Sequence, residues 1–114
     1  MIRKLLLIIF TCYLLVGTAY SPKQYDPCEV YGAIYIEENP RRAHFKVYEE
    51  TSESFADILV FEQDNKLYAD GQGKWFFTKN RDFADFFVYF ETERGLADFS
   101  VYYTDFESFA GCNR

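Results

Sequence analysis

The chain has few of the residues that do chemistry. Its 114 residues hold one histidine, His44, one tryptophan, Trp75, and three cysteines. A lone histidine with no free thiolate beside it cannot assemble a zinc site. Basic residues are scarce too: 12 Lys and Arg stand against 18 Asp and Glu, a net charge of −6. The one basic pair, Arg41 with Arg42, reads as a solvated turn. An acidic chain without a basic cluster is excluded as a binder of nucleic acid or of anionic lipid. None of Ser52, Ser54, Ser100 and Ser108 has the sequence context of a nucleophile elbow. After the first nineteen residues no stretch carries a helical period, so the folded part is expected to be all-β.

Those nineteen residues read as a secretory signal peptide, residues 1–19. Arg3 and Lys4 give the charged start, an apolar run follows from Leu5 to Val16, and Gly17, Thr18 and Ala19 supply the small residues at a cleavage site. The run is shorter than the roughly 20 apolar residues that a spanning helix needs. A lipid-attached Cys12 is the rival reading, but the bulky Phe10 fits an attachment box poorly. The expected location is therefore secreted or periplasmic, with no transmembrane segment after cleavage. Losing Arg3 and Lys4 with the leader takes the net charge to about −8.

A short linker, residues 20–27, leads to what is abundant, a phrase repeated through residues 28–114. It is clearest as Phe55-Ala56-Asp57-Ile58-Leu59-Val60-Phe61, Phe83-Ala84-Asp85-Phe86-Phe87-Val88-Tyr89 and Leu96-Ala97-Asp98-Phe99-Ser100-Val101-Tyr102. Its anchor falls at Val30, Ala43, Ala56, Ala69, Ala84, Ala97 and Ala110. The spacing is about thirteen residues, with two more inserted near Gly71, Gln72 and Gly73. That makes seven strand-turn units. Val, Ile, Phe and Tyr favour strands, and polar runs such as Glu37 to Pro40 favour turns. Alternation puts the anchor and the second and fourth residues after it on an apolar core face. The opposite face is mixed, and so is expected to be partly covered by connections.

Cys28 and Cys112 bracket the array. In an exported chain they read as a disulfide, worth about 4–5 kcal/mol in the chain-entropy account. Two free thiols or half of a metal site are the alternatives. The bridge makes the first and last units neighbours, as a closed barrel-like domain requires. Three architectures fit: an antiparallel meander, which five-residue links suit; a solenoid, which would stack Asp57, Asp70, Asp85 and Asp98 against one another's charge; and a closed arrangement in which consecutive strands are not neighbours.

The run of Phe-Ala-Asp-x-x-Val-Tyr units, opening on Cys28-Glu29-Val30-Tyr31-Gly32 and ending on Phe109-Ala110-Gly111-Cys112, resembles the Septknot family of small bacterial proteins. The resemblance covers about residues 28–112. It implies a tightly wound all-β domain in which the chain threads itself, an outcome that general folding rules would not select. It implies no catalytic residue, cofactor or ligand.

The function classes follow. The leading one is a non-enzymatic binding or structural module with a protein or glycan partner, without cofactor or metal. Its candidate binding loop is Gly71, Gly73, Lys74 and Trp75, where the repeat breaks. The alternatives are a small hydrolase built around His44 and a calcium-binding protein using the Asp column, although each Asp serves equally well as an acceptor for backbone N–H groups. Acidic pairs such as Glu37-Glu38 and Glu49-Glu50 are expected in solvated turns, where they do no acid–base work. Stability outside the cell is a third use for so closed an object.

Overall fold

The computed structural model describes residues 26–113; the expected signal peptide, residues 1–19, and Cys12 lie outside them. Seven strands follow in order: β1 (Gly32–Ile36), β2 (Phe45–Glu49), β3 (Ile58–Glu62), β4 (Lys74–Phe77), β5 (Phe86–Glu91), β6 (Phe99–Tyr103) and β7 (Gly111–Cys112). A single turn of 3-10 helix precedes each strand, as at Pro40–Arg42, Glu53–Phe55 and Arg94–Leu96. Asn39, Asn65 and Asn80 cap three of these turns, each accepting from the N–H two residues on.

The sheet order is β4-β1-β5-β2-β6-β3-β7, and β3 also pairs with β4. Six strands thus close into a barrel, and every pairing among them is parallel. The meander is overturned, and the closed arrangement of non-neighbouring strands is the one observed. The reason lies in the strand length. A five-residue strand rises only ~17 Å. The eight residues between Ile36 and Phe45 can span ~27 Å. That is enough to run back outside the barrel and step sideways over β5 to reach β2.

Every connection makes the same sideways step. With β7 seated beside β3, the strands occupy seven places around the axis, and each link advances two of them. The seventh step, from β7 back to β1, is the disulfide between Cys28 and Cys112, whose Cα atoms are 5.3 Å apart. β7 is only two residues long and runs antiparallel to β3, so the path makes six full passes through the barrel before the disulfide closes it.

The inward residues form three layers of six. The middle layer, Ile34, Val47, Val60, Trp75, Val88 and Val101, is completely buried. These are the residues four after each anchor, with Trp75 taking the place that the two-residue insertion assigns it. The first layer holds Phe45, Ile58, Phe86 and Phe99 together with Gly32 and Gly73. Phe45 touches both Phe86 and Phe99 there, ring centroids 5.8 and 5.6 Å apart. The third layer, at the C-terminal ends of the strands, holds Ile36, Glu49, Glu62, Phe77, Phe90 and Tyr103. On the outer face Leu59 and Ser100 are buried as well, covered by the crossing turns.

Candidate functional site

The strands are shorter than the seven or eight residues of the repeated phrase, because the residue after each anchor bonds through its side chain. Asp57, Asp85 and Asp98 each accept a backbone N–H of a neighbouring strand: Ser100 N at 2.9 Å, Ala33 N at 2.8 Å and Lys46 N at 2.7 Å. Each also donates its own N–H to the carbonyl of that same residue. The carboxylate therefore closes a two-bond ring where the ladder starts. His44 does the same with imidazole. Its Nδ1 accepts from Phe87 N at 2.8 Å, its own N–H donates to the Phe87 carbonyl, and its ring stacks on the Phe87 ring at 4.9 Å. Four consecutive parallel pairings around the barrel are clamped this way. Asp70, in the irregular unit, is instead exposed and 3.7 Å from Lys74.

The clamp makes His44 exchangeable for aspartate but not for a residue without an acceptor. His44→Asp is expected to keep stability within about 1 kcal/mol, whereas His44→Ala orphans Phe87 N–H and costs about 1–3 kcal/mol. Urea midpoints of the two variants check it. Equal losses would show that the Nδ1 bond carries no weight.

A second recurring device was missed in the sequence. Glu37, Glu50 and Gln63, seven residues after their anchors, are buried rather than solvated, because the turns of later units close over them. Arg81 reaches Glu37 at 2.9 Å, Arg94 reaches Glu50 at 2.6 Å, and Gln63 donates to Glu107 at 3.0 Å. All three pairs are 44 residues apart. Where the later turn offers Glu instead of Arg, the buried partner is Gln instead of Glu, so the pairing stays complementary. That exchange was the signal in the sequence. It becomes visible only when unit one is compared with unit five.

The expected binding loop divides. Gly71 has open space around it. Lys74 lies between Asp70 and Glu107, at 3.7 and 3.5 Å. Gly73 is pinned: a β-carbon there would sit 2.2 Å from Gly111 N and 2.4 Å from the Leu59 carbonyl, at φ +75°. Trp75 corrects the expectation outright. It is fully buried in the middle layer, and its Nε1 donates to the Val30 carbonyl at 2.7 Å, so it offers no face to a sugar or a partner.

The described depressions lie instead at the N-terminal ends of β3 and β6. Two adjoining hollows of about 230 and 280 Å³ share Asp57, Asp98 and Phe99. Arg94 and Ser100 line one; Asp26, the disulfide and Asn113 line the other. His44 lines neither. Among the described residues the one close group of three ligand-type side chains is Asp26 with Cys28 and Cys112, and the two sulfurs there are bonded to each other.

The surface also carries an apolar set. Phe55, Tyr68, Phe83, Leu96 and Phe109, the last residues of five turns, are 57–64% exposed. They recur at one level of the repeat and therefore ring the barrel. Glu29 and Arg42 take the place in the two units that lack one.

Residues 27–113 match the family described as the 7(1) septoil knot domain. Comparison with curated proteins gives no match.

Proposed function

Because the chain belongs to the septoil knot domain family, its winding needs no separate explanation, and we propose that the protein is an exported, non-enzymatic binding module. The observation that carries this reading is the belt of exposed apolar turn ends. Phe55, Tyr68, Phe83, Leu96 and Phe109 are placed in solvent on a rigid frame whose core is complete without them. Burying them would gain ~25 cal/mol for each Å², so a partner that covered several of them at once would be held. The partner is a protein or a glycan whose surface offers apolar or flat faces. The acidic charge favours a neutral or basic one over nucleic acid.

The polar residues support the same reading. Asp57, Asp85, Asp98 and His44 serve the strand clamps, and Glu37, Glu50 and Gln63 serve the turn pairs. A hydrolase would need His44 free beside a serine or two carboxylates, and here its Nδ1 is held by Phe87. The disulfide suits an oxidising compartment outside the cytoplasm.

The test replaces Phe55, Phe83, Leu96 and Phe109 together by serine and compares partner recovery from the native extracellular fraction. Recovery is expected to fall at least tenfold, with Tm moved by only a few degrees, since surface changes are nearly neutral. Undiminished recovery by the folded variant would overturn the reading.

A further inference from the structure

The inner face of the barrel carries two charged side chains, both at the same end. Reading inward positions around the six strands gives only apolar residues and glycine until the third layer, where Glu49 and Glu62 stand among Ile36, Phe77, Phe90 and Tyr103. The register holds them together. Val47 is level with Phe90 and Val60 with Tyr103, so each glutamate projects two residues beyond a ring on the adjacent strand. Phe77, Phe90 and Tyr103 pack their inner sides against the core. The Phe77 and Tyr103 rings are 6.4 Å apart and inclined at 55°.

Neither glutamate carboxylate has an ion pair or side-chain hydrogen bond among the described residues, in contrast to buried Glu37 and Glu50. Arginine lies over rings at Phe87, Tyr48 and Phe55, all on the outer face. Among the described residues no such cation lies over a ring of the inner mouth. Both glutamates act on one ring: the Tyr103 hydroxyl is pushed far up, first by burial and then by the negative charge of Glu49 and Glu62. Two like charges at the same end as three aromatic rings, with no ion pair among the described residues, form a site lacking its counter-charge.

We propose that the C-terminal mouth of the barrel binds an alkylated ammonium group, its methyl surface against Phe77, Phe90 and Tyr103 and its charge held by Glu49 and Glu62. Ring faces attract cations, and quaternary ammonium loses little hydration on entering such a mouth. A divalent metal is a poor occupant, since calcium takes six to eight oxygens and two separated glutamates supply too few. The site is independent of the apolar turn ends. A free small cation and a choline headgroup on a membrane share this chemistry.

Aromatic resonances of the oxidised protein are followed by NMR during titration with tetramethylammonium chloride, with sodium chloride as the matched control. Saturable shifts confined to Phe77, Phe90 and Tyr103 are expected. Glu49→Gln with Glu62→Gln, both exposed and isosteric, should weaken binding about tenfold without changing the fold. Phe90→Leu should weaken it again. Shifts that follow ionic strength alone, or binding unchanged by the glutamine pair, would overturn the proposal, as would calcium producing the same shifts. With the site present, co-sedimentation on phosphatidylcholine vesicles assigns it to a headgroup, and protein left in the supernatant assigns it to a free cation.

Discussion

Replacing Trp75 by alanine is expected to cost about 3–5 kcal/mol, the range for removing a fully buried large aromatic. Trp75 is the largest of the completely buried side chains and shares its layer with three short valines, on β2, β3 and β6, as well as Val88 and Ile34. Small neighbours on every side cannot collapse into the space it leaves. The indole also closes a hydrogen bond to the Val30 carbonyl, in the unit that begins the array. Trp75→Phe separates the two effects. It keeps most of the volume but leaves that carbonyl without its donor, so it should lose only about 1–3 kcal/mol. Denaturant midpoints at constant m-value measure both. An alanine variant as stable as the parent would mean that the middle layer repacks, contrary to the six-residue ring described above.

Gly73→Ala is expected to do more damage than its single methyl suggests. The added carbon would lie 2.9 Å or less from main-chain atoms of Ala110 and Gly111 and from the Leu59 carbonyl. Backbone cannot rotate away as a side chain can, and φ +75° is itself unfavourable for alanine. The wedge between β3 and β4 would no longer admit β7, and Cys112 would be held away from Cys28. The expected result is a loss of more than ~4 kcal/mol together with two titratable thiols after oxidative refolding. Gly71→Ala, two residues earlier and with nothing nearby, should be neutral within about 0.5 kcal/mol. A Gly73→Ala protein with no free thiol and normal stability would show that β7 can seat elsewhere.

These two residues also show how far the sequence could be read. The column four after each anchor could be followed through Ile34, Val47, Val60, Val88 and Val101, and it placed Trp75 correctly across the insertion. The same column argued against an exposed Trp75, yet the irregular loop beside it suggested a binding surface. Core membership is a local property of alternation, and so it was legible. Strand order was not, because every unit offers the same phrase to every other. What selects β5 as the neighbour of β1 and β2 is the length of a link against the length of a strand. The burial of Glu50 was hidden for a related reason: its partner Arg94 lies 44 residues away, and nothing around Glu49-Glu50 distinguishes a covered strand end from an open turn. Gly73 could be recognised as a break in the repeat, but not as the seat of the last strand.

The bond between Cys28 and Cys112 has a consequence beyond stabilisation. Once it forms, the backbone from one cysteine to the other is a circle, and no thermal or chemical denaturation can change how a circle is tied. The oxidised chain, however disordered, still carries every crossing of its native path. It has only to tighten, whereas the reduced chain must find the thread again from free ends. Oxidation thus works as a memory of topology: the protein performs its hardest search once and then keeps the result for as long as the sulfurs stay joined.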